Sequence, residues 1–162
     1  ELSAWQFRSR LGETIELDNL TFREFVTFLT KPGILKMNIH WRPQIDFMIY
    51  EKYSDYFSVE NFKYAVSALK TNINLDVIDA RKLTNHGTDG FAAVYDKLYA
   101  DVAAFDIAVM KQEGKCPSYE SMYDNELYQV VSRLYHDDIQ LYTEMCNVEH
   151  LLNVNDVYLN NK

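Results

Sequence analysis

Cysteine, proline and glycine are all scarce in this chain, with 2, 3 and 5 copies among 162 residues. Two cysteines, Cys116 and Cys146, can form at most one bridge, which excludes a small domain held together by several disulfides. Neither has a Cys-x-x-Cys partner, so the sequence predicts no structural zinc site. We expect two free, partly buried thiols, with a single bridge between them as the alternative.

Basic residues are also fewer than acidic ones. The chain has 16 Lys and Arg residues and 24 Asp and Glu residues, so its net charge is −8. This balance excludes broad non-specific nucleic-acid binding, although a local basic patch could still hold one phosphate-bearing ligand. Long hydrophobic runs are missing as well. Fully apolar runs such as Phe91 to Tyr95 are far shorter than the roughly 18 residues that span a bilayer. The first eight residues lack the pattern of a signal peptide.

Apolar residues make up 48% of the chain and aromatic residues 14%, which is typical of a folded globular protein. The most definite element is a helix that begins after Thr21. Thr21 and Glu24 form a capping-box pattern, in which each side chain satisfies an N–H group of the first turn. Apolar residues then recur on one face, and Lys31-Pro32-Gly33 ends the helix. The face consists of Phe22, Phe25, Val26 and Leu29.

The rest of the chain is predicted to be mostly helical, with one or two short strands. The predicted helices cover residues 1–17, a segment from Phe62 to Leu69, Phe91 up to Gly114, about Tyr123 to Tyr142, and Val148 to Val154. Tyr56 to Val59 is predicted to be a strand, and Leu75 to Asp79 a brief strand or an extended link. A lone strand leaves backbone groups unpaired, so we expect its partners upstream of Glu1.

Four segments resemble sulfotransferase family 2, a branch of the carbohydrate sulfotransferases. His40-Trp41-Arg42-Pro43-Gln44 is similar to the family's His-Trp-x-Pro-Gln element, and the Leu20–Val26 segment before it to the family's Phe-x-x-Phe-Val segment. Tyr56–Asn61 resembles the family's strand that ends in Glu-Asn or Glu-Thr. Leu134–Tyr142 resembles its Tyr-x-x-Asp-x-x-Leu-Phe signature. The order and spacing agree along nearly the whole chain.

The resemblance implies an α/β fold of the P-loop-like sulfotransferase type, acting with the donor PAPS (3′-phosphoadenosine 5′-phosphosulfate). It also implies that residues 1–162 are a single domain, forming the C-terminal part of the enzyme. Leu2-Ser3-Ala4-Trp5 is similar to the end of the family's Arg-x-Pro-x-x-Arg-x-x-Ser-x-Tyr motif, with Trp5 in the Tyr position. Ser3 would then contact the donor's 3′-phosphate. The motif's arginines and the phosphate-binding loop would lie upstream of Glu1, so the segment alone is expected to be inactive.

Sulfuryl transfer needs cations and N–H or O–H donors around the donor's phosphates, and a base near the acceptor. His40 is the candidate base, unless the base lies upstream. Arg42, Gln44 and Glu60 are the candidate contacts to the acceptor. The alternatives are structural: a loop anchored by Trp41, and capping of the next helix by Glu60. In addition to Ser3, the candidate contacts to the donor's phosphates are Arg81, Lys82 and Asn85. The alternative is that these three residues lie in a solvated loop without a binding role.

The sequence therefore predicts a soluble, PAPS-dependent sulfotransferase that modifies a hydroxyl acceptor, in particular a carbohydrate, without a metal. A cytoplasmic location is expected, or the Golgi lumen if a membrane anchor precedes Glu1. Two other functions stay open: a non-enzymatic helical interaction domain, and a relative that binds sugar without catalysis. The interaction domain predicts that residues 56–59 are helical or pair with another chain.

Overall fold

The computed structural model describes residues 19–80 and 90–146. Five α-helices and a small parallel sheet form these parts of the chain, which confirms the expected mixed and mostly helical character. The helices are α1 (Phe22–Leu29), α2 (Phe62–Ile73), α3 (Ala104–Gln112), α4 (Asn125–Leu134) and α5 (His136–Cys146). The strands are β1 (Ala92–Val94) and β2 (Lys115–Pro117), and short 3₁₀ helices cover Ile34–Lys36, Gln44–Phe47 and Glu120–Met122.

Helix α1 forms as its sequence predicts. The Thr21 backbone N–H donates to the Glu24 carboxylate at 2.9 Å, and the Glu24 N–H donates to the Thr21 hydroxyl at 3.2 Å. The helix ends at Leu29, and Gly33 takes a left-handed conformation with φ of 80° in the turn that follows. Such a φ carries no steric penalty for glycine, so the Pro32-Gly33 turn stops the helix.

Helix α1 lies between two hydrophobic clusters. On one side Phe28 and Leu29 pack with Trp41. On the other side Val26 packs with Ala100 and Leu127, which ties α1 to the loop before α3 and to α4. The buried surface of α1 is therefore wider than the predicted single face, because Phe28 is buried too.

Strand β1, helix α3 and strand β2 form one βαβ unit. The two strands are parallel, with Ala92 opposite Lys115 and Val94 opposite Pro117. The Ala92 N–H donates to the Gly114 carbonyl at 2.8 Å, and Gly114 has a φ of 77° in the tight turn between α3 and β2. The prediction of a helix starting at Phe91 was wrong, because a short apolar run fits a strand as well as a helical turn.

Residues 56–59 form no strand, so that prediction was wrong as well. The expected strand partners upstream of Glu1 stay a prediction. The interaction-domain alternative predicted a helix at residues 56–59, and this prediction is wrong too, because these residues are not helical. Residues 75–79 also form no strand and follow α2 as an irregular link, after Asn74 ends the helix with a φ of 54°.

The predicted long helix near the C-terminus is two helices, because Tyr135 leaves the helical region with φ of −114° and ψ of 28°. Both cysteines are free and partly buried, as predicted. The predicted helices at residues 1–17 and 148–154 lie outside the described residues. Within residues 19–80 and 90–146, no helix has the length and apolarity needed to cross a membrane.

Candidate functional site

The segment from His40 to Gln44 is built around Trp41. Trp41 is 6% exposed, and its indole N–H donates to the Ile34 carbonyl at 2.9 Å. Its ring meets Phe25 of α1 edge to face, with centroids 5.8 Å apart. A buried, hydrogen-bonded indole fixes the backbone on both sides of it. The loop anchored by Trp41, which the sequence left as an alternative, is therefore present.

His40 lies on the exposed side of this anchor. Its backbone N–H donates to the Asn38 side-chain oxygen at 2.9 Å, and Asn38 itself is 4% exposed. The buried Asn38 therefore positions the His40 backbone, while the imidazole faces solvent. An imidazole in this position is accessible to an acceptor hydroxyl.

The guanidinium of Arg42 is held by its own loop. Both Nε and Nη2 donate to the Lys36 carbonyl, the former at 3.1 Å, and the group lies 5.6 Å from the centre of the Phe47 ring. These contacts orient the planar fork, and they involve Nε and Nη2 but not Nη1. The Gln44 side chain is exposed.

The N-terminus of the 3₁₀ helix at Gln44–Phe47 is capped by a carboxylate from a helix that is distant in sequence. The backbone N–H groups of Gln44 and Ile45 donate to the two oxygens of Asp138, each at 2.8 Å. Asp138 is in the first turn of α5. It therefore satisfies two N–H groups that have no partner within the 3₁₀ helix itself.

Two tyrosines, Tyr135 and Tyr142, also connect the C-terminal part of the fold to the segment after His40. The Tyr135 hydroxyl donates to the Trp41 carbonyl at 2.6 Å, and burial, together with the charge of Asp138, raises the pKa of Tyr135 to about 12. The Tyr142 hydroxyl donates to the Glu60 carboxylate at 2.6 Å. That bond lowers the pKa of Glu60 and raises the pKa of Tyr142.

Tyr135, Asp138 and Tyr142 thus hold the segment from Trp41 to Glu60 against the C-terminal helix. Asp138 and Tyr142 are four residues apart on α5 and share one side of it, and Tyr135 lies at the junction between α4 and α5. We call these three residues the helix clamp. Sequence reasoning noted their pattern but not this role. The signal was the spacing of three hydrogen-bonding side chains, although no local rule identifies their partners more than 80 positions away.

Arg42, Gln44 and Glu60 all lie in the segment that the helix clamp holds, and His40 immediately precedes it. Ser3, Arg81, Lys82 and Asn85, the predicted contacts to the donor, lie outside the described residues. Among residues 19–80 and 90–146, no three His, Cys, Asp or Glu side chains are grouped in a way that could hold a metal ion.

Comparison of the chain with protein-family models, with curated proteins and with solved structures gave no match. The resemblance to the sulfotransferases therefore depends on the motifs in the sequence.

Proposed function

We propose that the chain is the C-terminal part of a PAPS-dependent sulfotransferase that transfers a sulfuryl group to a hydroxyl, in particular on a carbohydrate. The fold proposed with it is the P-loop-like sulfotransferase type. The observation that supports it best is the arrangement of the four motif segments. They were selected by sequence resemblance alone, yet each contacts at least one of the others.

These contacts link the four motif segments to one another. Phe25 of the first motif meets Trp41 of the second. The clamp residues of the fourth motif then bind the second motif through Tyr135 and the third motif through Tyr142. The four segments are therefore neighbours in the fold, as parts of one site would be.

The clamped segment offers the groups that the acceptor side of the reaction needs. The exposed imidazole of His40 would accept the proton of the attacking hydroxyl. The Nη1 group of Arg42, oriented by the contacts of Nε and Nη2 with Lys36, would bind an anionic or polar group of the acceptor. Sulfuryl transfer spreads negative charge over equatorial oxygens, so pre-oriented donors stabilise its transition state.

On the donor side, the proposal assigns the 3′-phosphate of PAPS to Ser3, with Arg81, Lys82 and Asn85 as further phosphate contacts. A serine hydroxyl and the amide of Asn85 donate hydrogen bonds, and the two cations would offset the donor's charge. These assignments are supported by the sequence resemblance alone.

Nucleotide binding tests the proposal directly. Purified protein, expressed with whatever sequence precedes Glu1 in its gene, is titrated with adenosine 3′,5′-bisphosphate and, as the control, adenosine 5′-monophosphate. Bisphosphate at 100 times its Kd would stabilise the fold by about 2.7 kcal/mol. Ser3→Ala should weaken bisphosphate binding while Ser9→Ala leaves it unchanged. Absence of bisphosphate binding, or equal binding of both nucleotides, would overturn the proposal.

A non-enzymatic interaction or sugar-binding module is the second candidate. It is favoured by one observation: Arg42 and Glu60 both make contacts within the protein, to Lys36 and Tyr142. Turnover separates the two candidates. A sulfotransferase loses most of its PAPS-dependent turnover with His40→Ala, whereas a binding module shows no turnover before or after the substitution.

A further inference from the structure

Residues 48–61 form a long loop that contains neither helix nor strand, between the 3₁₀ helix at Gln44–Phe47 and α2. We call it the tyrosine loop. Loops longer than about 12 residues without regular structure are uncommon in compact domains, and those that are ordered usually serve a function. The composition of this loop is unusual too, because it contains three tyrosines spaced three residues apart: Tyr50, Tyr53 and Tyr56.

Both ends of the tyrosine loop are fixed to α5. Just before the loop, the Ile45 N–H is bound by Asp138, and near its end Glu60 is bound by Tyr142. Asp138 and Tyr142 are four residues apart on one helix, which is about 6 Å along the axis. A long loop that is anchored on both sides to one short stretch of helix resembles an Ω-type loop, a class that frequently carries function.

The three tyrosine rings form a continuous row. Tyr50 and Tyr53 meet edge to face with centroids 5.8 Å apart, and Tyr53 meets Tyr56 in the same way at 5.9 Å. The Tyr53 hydroxyl also accepts hydrogen bonds from the backbone N–H groups of Ile49, at 2.9 Å, and Tyr50, at 3.3 Å. The central ring is therefore held in place by the loop's own backbone.

Two of the three rings are nevertheless open to solvent, since Tyr50 is 68% exposed and Tyr53 is 38% exposed, while Tyr56 is half-buried. Packing within the protein does not account for rings that are oriented by their neighbours and yet exposed. Rigid, exposed aromatic groups with polar edges are typical of ligand-binding surfaces. The polar edges here include the exposed carboxylates Glu51 and Asp55 and the ammonium group of Lys52.

We propose that the tyrosine loop binds a neutral carbohydrate, with a sugar ring against Tyr50 and sugar hydroxyls donating to Glu51 or Asp55. A pyranose has an apolar face of C–H groups and a polar rim of hydroxyls, which matches a tyrosine row flanked by carboxylates. The loop has three carboxylates, Glu51, Asp55 and Glu60, and one ammonium group, Lys52. Its net charge of −2 and the protein's net charge of −8 both oppose binding of a polyanion. This inference specifies the acceptor side of the proposed function and rests on it for its biological meaning.

The test is a binding titration that requires no catalysis. Calorimetry and tyrosine ring NMR are recorded with N-acetyllactosamine, with a heparin tetrasaccharide and with tetralysine. We expect N-acetyllactosamine to bind and to shift the ring signals of Tyr50 and Tyr53. Tyr50→Ala should weaken its Kd by at least about fivefold. Tyr119→Ala, with a tyrosine that is 63% exposed elsewhere on the surface, should leave it unchanged.

Tyr50→Trp provides a second variant, which keeps a large aromatic face and should retain binding. Absence of N-acetyllactosamine binding, equal loss in Tyr50→Ala and Tyr119→Ala, or binding of only heparin or tetralysine through the loop would each overturn the inference. Sugar binding without adenosine 3′,5′-bisphosphate binding would support the inference and overturn the sulfotransferase proposal. The two hypotheses can therefore fail separately.

Discussion

The Tyr142 hydroxyl donates a 2.6 Å hydrogen bond to the carboxylate of Glu60, across 82 positions of sequence. Tyr142 is in α5, and Glu60 lies near the end of the tyrosine loop. The bond joins α5 to a segment that itself contains no helix or strand. It also couples the position of that segment to the ionisation of Glu60.

The first prediction concerns this bond and pH. The pKa of Glu60 is lowered by the Tyr142 hydroxyl, so the folded state favours the ionised carboxylate. The stabilisation is therefore complete above the ordinary Glu pKa of about 4.3 and is lost as the pH falls through the lower folded pKa. A double-mutant cycle with Glu60→Gln and Tyr142→Phe should give a coupling free energy below about 1 kcal/mol at pH 7, because the pair is largely solvated.

The measurement is urea unfolding of the four proteins at pH 7 and at pH 3. Coupling should shrink at pH 3. A coupling that stays constant or grows on acidification would contradict the hydrogen bond to an ionised Glu60.

The second prediction concerns Asp138, which accepts from the N–H groups of Gln44 and Ile45 at 2.8 Å each. Asp138→Ala leaves both groups without their acceptor. Loss of a capping side chain costs about 0.5–2 kcal/mol of unfolding free energy. Asp137→Ala is the matched control, because Asp137 is exposed in the same first turn of α5 and shares its helix-dipole interaction.

Urea midpoints at constant m-value measure both changes. Hydrogen exchange at Gln44 and Ile45 should accelerate in Asp138→Ala alone. Equal destabilisation by the two substitutions would mean that the helix dipole, and not the contact with the 3₁₀ helix, accounts for the effect.

The third prediction concerns Arg23, whose guanidinium joins α1 to the start of α4. It donates to Asp101 at 2.6 Å and to Asp124 at 2.5 Å. Asp124 is also the N-cap of α4, since it accepts from the Leu127 N–H at 2.8 Å. Burial alone would raise the pKa of Asp124, but the hydrogen bond from Arg23 lowers it.

Asp124→Ala therefore removes a cap and an ion-pair partner together, and we expect a loss of about 2 kcal/mol. Glu126→Ala is the control. Glu126 contacts Arg23 at 3.5 Å with a side chain that is 80% exposed, so its loss should stay within about 0.5 kcal/mol. Arg23→Lys should not preserve stability, because an ammonium group cannot bind two carboxylates with a planar fork. Thermal and urea unfolding of these variants would contradict the model if Glu126→Ala proved as costly as Asp124→Ala.

The fourth prediction concerns alkaline pH. The pKa of Tyr99 is raised to about 12 by its hydrogen bond to Asp96, and that of Tyr135 is raised to about 12 by burial. The fold favours both neutral hydroxyls, so their stabilisation is complete below the ordinary Tyr pKa of about 10 and is lost as the pH rises towards 12.

Tyr99→Phe and Tyr135→Phe should each flatten the fall in unfolding free energy between pH 10 and 12. Tyr64→Phe, which alters a tyrosine on the exposed side of α2, serves as the control. Urea midpoints across this pH range provide the measurement. A slope in both variants that matches the unaltered protein would contradict the proposed linkage.

Sequence reasoning succeeded where the interactions are local. The capping box of Thr21 and Glu24, the stop at Pro32-Gly33 and most of the buried residues of α1 involve neighbours within one or two helical turns. Helix α2 was recognised from the same kind of spacing, although only Ala65 among its residues is buried. Periodicity identifies such elements because side chains three and four positions apart share a face.

Periodicity did not predict the strands correctly. Residues 92–94 matched a helical pattern, but they pair with residues 115–117, so distant backbone groups decided their conformation. Residues 56–59 matched a strand pattern, but the Tyr56 ring packs on Tyr53 of the tyrosine loop and the Phe57 ring packs on Tyr64 of α2. A β-rich composition marks a segment that can pair, and only tertiary structure provides or withholds the partner.

The sequence by itself determined the mixed, mostly helical character of the chain, the extent of α1 and the motif set that suggests sulfuryl transfer. Tertiary structure alone decided which carboxylate holds the Gln44 and Ile45 N–H groups, and which tyrosine binds Glu60. The physical reason is range: caps and turns are fixed by neighbours in the chain, whereas Asp138 meets Ile45 across 93 positions because the core around Trp41 brings their helices together.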